Sequence, residues 1–124
     1  MNTFFKRLFV IIPLLLLCVF TLVGCEKSQE KYTSNLEKKG YTVEVIENSS
    51  AVFALKATRT DENGKYDYAY IYCYESYEQC NEKFNEKKME LARMKSMFPD
   101  TDEKVYQDGK AFYYGSPQGV NDCK

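Results

Sequence analysis

The sequence predicts an α+β domain: one antiparallel sheet of four to five strands, with two helices packed on one face. Three observations predict it. Two segments, 29–39 and 76–97, carry apolar residues at helical spacing. Between and after them lie short alternating runs rich in β-branched and aromatic residues. Tight-turn sequences, Asp61-Glu62-Asn63-Gly64 and Asp108-Gly109, join those runs and impose antiparallel pairing. The order α, β, β, β, α, β, β is satisfied most economically by two layers.

Gln29 to Lys39 reads as a short amphipathic helix. Tyr32 and Leu36 stand four apart on one face. Lys38 and Lys39 occupy the last turn, where cations favour the helix dipole, and Gly40 supplies a left-handed stop. Tyr41 to Ile46 alternates like a strand. Glu47-Asn48-Ser49-Ser50 turns the chain into Ala51 to Thr60, which places Phe53, Leu55 and Ala57 on one face. The third strand is Tyr66 to Tyr74. Ser76 with Gln79 forms a capping box ahead of the long helix, whose Tyr77, Cys80, Phe84, Leu91 and Met94 recur at helical spacing until Pro99 stops it. Val105 to Tyr114 is divided by Asp108-Gly109 into the last hairpin, and Ser116-Pro117 caps a brief terminal turn.

The first 24 residues differ from the rest. They hold two charges, Lys6 and Arg7, and all 18 acidic residues follow them. Leu8 to Val23 is an uncharged run of 16 residues. A basic start and an apolar run are the layout of a secretory signal peptide. The run falls short of the roughly 20 residues that span a bilayer, and Pro13 interrupts it.

The leader ends Leu22-Val23-Gly24-Cys25. This resembles the lipobox of bacterial lipoproteins at all four positions. The resemblance implies cleavage by signal peptidase II before Cys25 and a diacylglyceryl thioether on its sulfur. Two acyl chains give durable membrane attachment where one does not. The competing readings are an uncleaved anchor and an ordinary secretory leader cut elsewhere. The expected organisation is a signal peptide over 1–24, a lipidated N-terminus and short tether over 25–29, and a single domain over 30–124. The protein is expected at the cell membrane, anchored on the extracytoplasmic side. Lys38-Lys39-Gly40-Tyr41, the tyrosine-rich third strand and Tyr113-Tyr114-Gly115 are loosely similar to features of small lipoproteins of Gram-positive bacteria. That resemblance implies no activity.

The most unusual pattern is a tyrosine row. Tyr66, Tyr68, Tyr70, Tyr72 and Tyr74 share one face of the third strand, opposite Asp67, Ala69, Ile71 and Cys73. The small residues are expected to meet the helices. The tyrosines, with Glu44 and Lys56, are then expected on an open face. That face is the candidate binding surface for a glycan, peptide or envelope protein, since tyrosine gives amphipathic contact area at low entropy cost. Cross-strand packing of a solvated sheet is the simpler account of the same row.

Three cysteines besides Cys25 lie after the leader: Cys73, Cys80 and Cys123. With Cys25 blocked by lipid, one disulfide among those three is allowed, as Cys73–Cys80 or Cys80–Cys123. Three buried or free thiols are the simpler alternative. No CxxC pair and no histidine occurs, so neither a metal site nor a cofactor is expected, and the commonest general base is missing. Beyond the leader, 15 basic residues face 18 acidic ones, a formal charge of −3 without a basic run, which argues against nucleic acid. The expectation is a non-enzymatic lipoprotein that binds or interacts at the cell envelope. An accessory subunit of an envelope complex and a carboxylate- and tyrosine-based enzyme are the alternatives.

Overall fold

The computed structural model describes Cys25 and residues 27–124. The expected signal peptide, 1–24, lies outside the described residues. The described chain opens with α1 (Gln29–Lys38). Ser28 caps it by accepting a hydrogen bond from the Lys31 amide at 3.1 Å. Its end is a Schellman motif: the Tyr41 amide donates to Leu36 O and the Gly40 amide to Glu37 O, with Gly40 at φ +90°. The motif turns the chain so that Leu36 and Tyr41 both enter the core.

Five strands follow: β1 (Thr42–Val45), β2 (Phe53–Thr60), β3 (Tyr66–Cys73), β4 (Lys104–Asp108) and β5 (Ala111–Gly115). They form one antiparallel sheet in the order β1-β2-β3-β5-β4. The β2–β3 turn is held by Asp61, whose carboxylate accepts from the amides of Asn63 and Lys65 at 2.9 and 2.8 Å. Between β3 and β4 runs α2 (Tyr77–Met97), capped by Ser76 accepting from the Gln79 amide. The chain ends in α3 (Pro117–Cys123), where Ser116 is the cap and Pro117 opens the helix.

The expected α+β fold with one antiparallel sheet is therefore the fold observed. Two helices do share a face, but the second is α3 rather than α2. Tyr32 and Leu36 from α1 and Val120 and Cys123 from α3 pack on Leu55, Ala57, Ala69, Ile71 and Tyr113. The long helix instead crosses the β4–β5 half of the other face. There Cys80 and Phe84 meet Tyr72, Tyr74, Phe112, Val105 and Tyr114. The tyrosine face is thus half covered, contrary to the expected open sheet. The physical reason is the composition of β5: Phe112 and Tyr114 lie on that face, where they offer apolar area to bury.

The α3 side contains a buried ionic network that sequence reading did not single out. Asp67 is 2% exposed and accepts from Arg59 Nη2 at 3.0 Å and from Ser116 Oγ at 3.2 Å. Arg59 also donates to Lys39 O at 2.8 Å, pairs with Asp122 at 3.3 Å, and lies over the Tyr41 ring at 4.4 Å. Tyr41 donates to Asp122 at 2.7 Å. These bonds tie β2, β3, α1 and α3 together. A Cβ at Gly119 would meet the Tyr68 carbonyl, so only glycine lets α3 sit this close.

Candidate functional site

The alternation of β3 and β5 collects seven aromatic rings on one face. Tyr66, Tyr68, Tyr70, Tyr114, Tyr72, Phe112 and Tyr74 follow one another with centroids 5.0–6.2 Å apart. Most neighbours are stacked, with Tyr68 and Tyr70 edge to face. Each such contact contributes roughly 0.5–1.5 kcal/mol beyond area burial. Tyr66 is exposed, Tyr68, Tyr70 and Tyr72 are half-buried, and Tyr74 is buried.

The side of α2 forms a wall above this floor. A groove of about 240 Å³ lies between them, lined by Tyr72, Tyr74, Phe112 and Tyr114 below and by Lys83, Glu86, Lys87 and Glu90 above. Lys87 Nζ sits 3.9 Å from the centre of the Tyr114 ring, a cation–π contact, and 3.3 Å from Glu90 Oε1. Toward the other end, the Tyr68 hydroxyl donates to Glu103 Oε2 at 2.5 Å, and Glu103 Oε1 is 4.0 Å from Lys87. Burial first, and then the Glu103 hydrogen bond, push the Tyr68 hydroxyl pKa well above the usual tyrosine value. The tyrosine therefore stays a hydrogen-bond donor across the physiological range. The open part of the face is flanked by Lys56, whose Nζ is 5.9 Å from the Tyr70 ring, and by its cross-strand partner Glu44.

The six candidate face residues are thus brought onto one face, as their spacing predicts. Glu103 and Lys87, which bind the row to α2 and to the loop before β4, carry no local pattern that marks them. Among the described residues no group of three or more His, Cys, Asp or Glu side chains could hold a metal ion.

The cysteines differ from expectation. Cys73 is disulfide-bonded to Cys25, at a Cα–Cα distance of 6.2 Å, and Cys80 and Cys123 are free and buried. Neither expected pairing forms. Cys80 rides on α2, while Cys73 and Cys123 lie on the opposite side of the sheet, which separates the sulfurs. Burial raises the Cys80 pKa to about 11, opposed by Gln107, and the Cys123 pKa to about 12. Cys25 is 7% exposed and packs with Cys73, Ala111 and Phe53 at one end of the sheet. Lys27 holds the same stretch down by donating to Cys123 O and Lys124 O at 3.1 and 3.0 Å. Cys25 and Lys27, which fall in the segment read as a tether, are therefore docked on the domain. A sulfur in this disulfide cannot also carry a thioether, so the bond and the lipid are alternative states of Cys25.

Comparison with protein-family models, with curated proteins and with solved structures found no match.

Proposed function

We propose that this chain is a lipoprotein of the cell envelope, anchored through Cys25, and that it acts as a non-catalytic binding module through its tyrosine face. The observation that carries the binding reading is the unbroken aromatic row, part floor of a groove and part open to solvent. Its hydroxyls, Lys56 and Glu44 supply polar contacts around an apolar floor, the composition suited to a glycan or peptide. The carboxylates beside the groove are already engaged: Glu86 by Lys83, Glu90 by Lys87, and Glu103 by Tyr68 and Lys87. That engagement favours binding over acid–base chemistry.

The binding reading is tested by replacing Tyr66 and Tyr70 with Ser and titrating the protein with envelope glycan fragments and with isolated envelope proteins. Binding that weakens tenfold or more supports the face. Binding unchanged by both substitutions reduces the row to packing. The anchor rests on the Leu22-Val23-Gly24-Cys25 motif and the leader preceding it. Mass spectrometry of the mature N-terminus decides it. A diacylglyceryl adduct on Cys25 is expected, with Cys73 left as a thiol. A Cys25–Cys73 linked peptide, or an N-terminus elsewhere, overturns it.

A second reading, an accessory subunit of an envelope complex, is favoured by one feature. Met89, Met97 and Phe98 are exposed at 62%, 70% and 59% toward the end of α2.

A further inference from the structure

Among the described residues the sheet has two free edges, and the one at β4 lies beside the long helix. Its backbone polarity follows from the ladder. The Tyr74 amide donates to Lys110 O at 2.8 Å and the Ser116 amide to Tyr68 O at 3.0 Å, so even-numbered residues of this hairpin arm bond β3. Alternation then turns Ala111, Tyr113 and Gly115 toward β4, where their partners are Asp108, Tyr106 and Lys104. The N–H and C=O groups of Val105 and Gln107 are left pointing away from the sheet. No backbone partner meets them there among the described residues.

Between this edge and α2 runs a second groove, of about 280 Å³. Its floor is Leu91, Ala92 and Val105, and its rim carries Lys88, Lys95 and Lys104. The one acid in the lining, Glu103, is held by Tyr68 and Lys87. Among the described residues none of the three rim lysines has a carboxylate within 4 Å. An exposed strand edge is a template for an added strand. Here the template has apolar space for alternate side chains and three uncompensated positive charges.

We propose that the β4 edge binds, as a sixth strand, an extended segment of another protein that presents apolar and acidic side chains together on its α2-facing side. Backbone bonds to Val105 and Gln107 give the attachment. On the α2-facing side apolar side chains enter the groove below Leu91 and Ala92 and carboxylates meet Lys88 and Lys95, while a carboxylate on the other side reaches Lys104, which alternates with Val105. A second copy of the chain fits less well, because pairing β4 with β4 brings two lysine rims into one seam. The site is separate from the tyrosine face, on the other side of α2.

The test uses the full chain and a blocked, fluorescein-labelled heptapeptide Glu-Ser-Val-Glu-Val-Ser-Glu, which sets two Glu and two Val on one face and one Glu on the other, read by anisotropy. The Val/Glu peptide is expected to bind, and a Val/Lys counterpart at least tenfold more weakly. Replacing Lys88, Lys95 and Lys104 by Gln is expected to weaken the Val/Glu peptide by about tenfold, the sum of three exposed pairs at roughly 0.2–1 kcal/mol each. Val105→Pro removes an outward donor without removing a ladder bond and is expected to weaken binding at least as much. Should that variant melt early, the peptide supplies the control: N-methylation at one set of alternate residues abolishes binding, and at the other set leaves it intact. Equal affinity for the Glu and Lys peptides, retention with both methylated sets, or no binding at all overturns the proposal. So does self-association of the chain that is blocked by Val105→Pro while the peptide is ignored.

Discussion

Substituting Asp67 by Asn probes the buried network that docks α3. Removing one member of a buried ion pair typically costs about 3–5 kcal/mol when the other charge is stranded. Arg59 would not be stranded, because it keeps Asp122 at 3.3 Å and Lys39 O at 2.8 Å. The asparagine carbonyl can still accept from Ser116, which donates to Asp67 Oδ1 in the native protein. What is lost is the charge-assisted bond from Arg59 Nη2, replaced by an amide donor or a neutral acceptor facing a guanidinium. The expected loss is therefore about 2 kcal/mol, the range for a hydrogen bond to a charged group. With a urea slope of roughly 1–2 kcal/mol per molar, the midpoint should fall by about 1–2 M. Equilibrium urea unfolding at neutral pH reads this directly. A cycle with Arg59→Met should show the two substitutions to be non-additive by at least about 0.5 kcal/mol. A midpoint shift below about 0.3 M, or full additivity with Arg59→Met, would refute the claim that this pair holds the terminal helix in place.

Three other outcomes follow from the same geometry. Gly119→Ala should destabilise by about 1–3 kcal/mol, since the added methyl meets the Tyr68 carbonyl and α3 must lift; thermal unfolding with hydrogen exchange of the α3 amides checks it. Ser76→Ala should cost about 1 kcal/mol by orphaning the Gln79 amide, seen as a lower melting temperature at unchanged fold. Stability should decline as pH rises above about 9. The folded pKa values of Cys80 and Cys123, about 11 and about 12, lie above the ordinary thiol value of 9.0, so the unfolded chain loses those protons first. Their contribution is complete below pH 9 and disappears as pH passes through the folded values. Urea midpoints at pH 8 and pH 10 should differ less in a Cys80→Ala, Cys123→Ala protein.

The elements were legible because each rests on local chemistry. Gly40 and the capping serines Ser76 and Ser116 stop or start helices through bonds to backbone groups a few residues away. The alternation of Tyr66 to Tyr72 with Asp67 to Cys73 places the tyrosines on one face whatever packs against it. The expected leader over 1–24 rests likewise on a local pattern, and the reading of Cys25 on the resemblance of Leu22-Val23-Gly24-Cys25 to a lipobox.

What covers each face was decided in three dimensions. The apolar stripe of α2 fits either side of the sheet; the aromatic area of Phe112 and Tyr114, 35 and 37 residues from the start of the helix, selects the tyrosine side. That choice turned an open row into a groove with Lys87 over Tyr114, and it put Cys80 out of reach of Cys73. The partners of Asp67 are Arg59, eight residues away, and Ser116, 49 away. No periodicity links such residues, because a buried charge finds its partner through the sheet and helix packing that encloses it. The sequence by itself determined the strands, the helices and the candidate face. Only the tertiary structure decided which half of that face stays open and which sulfur lies against Cys73.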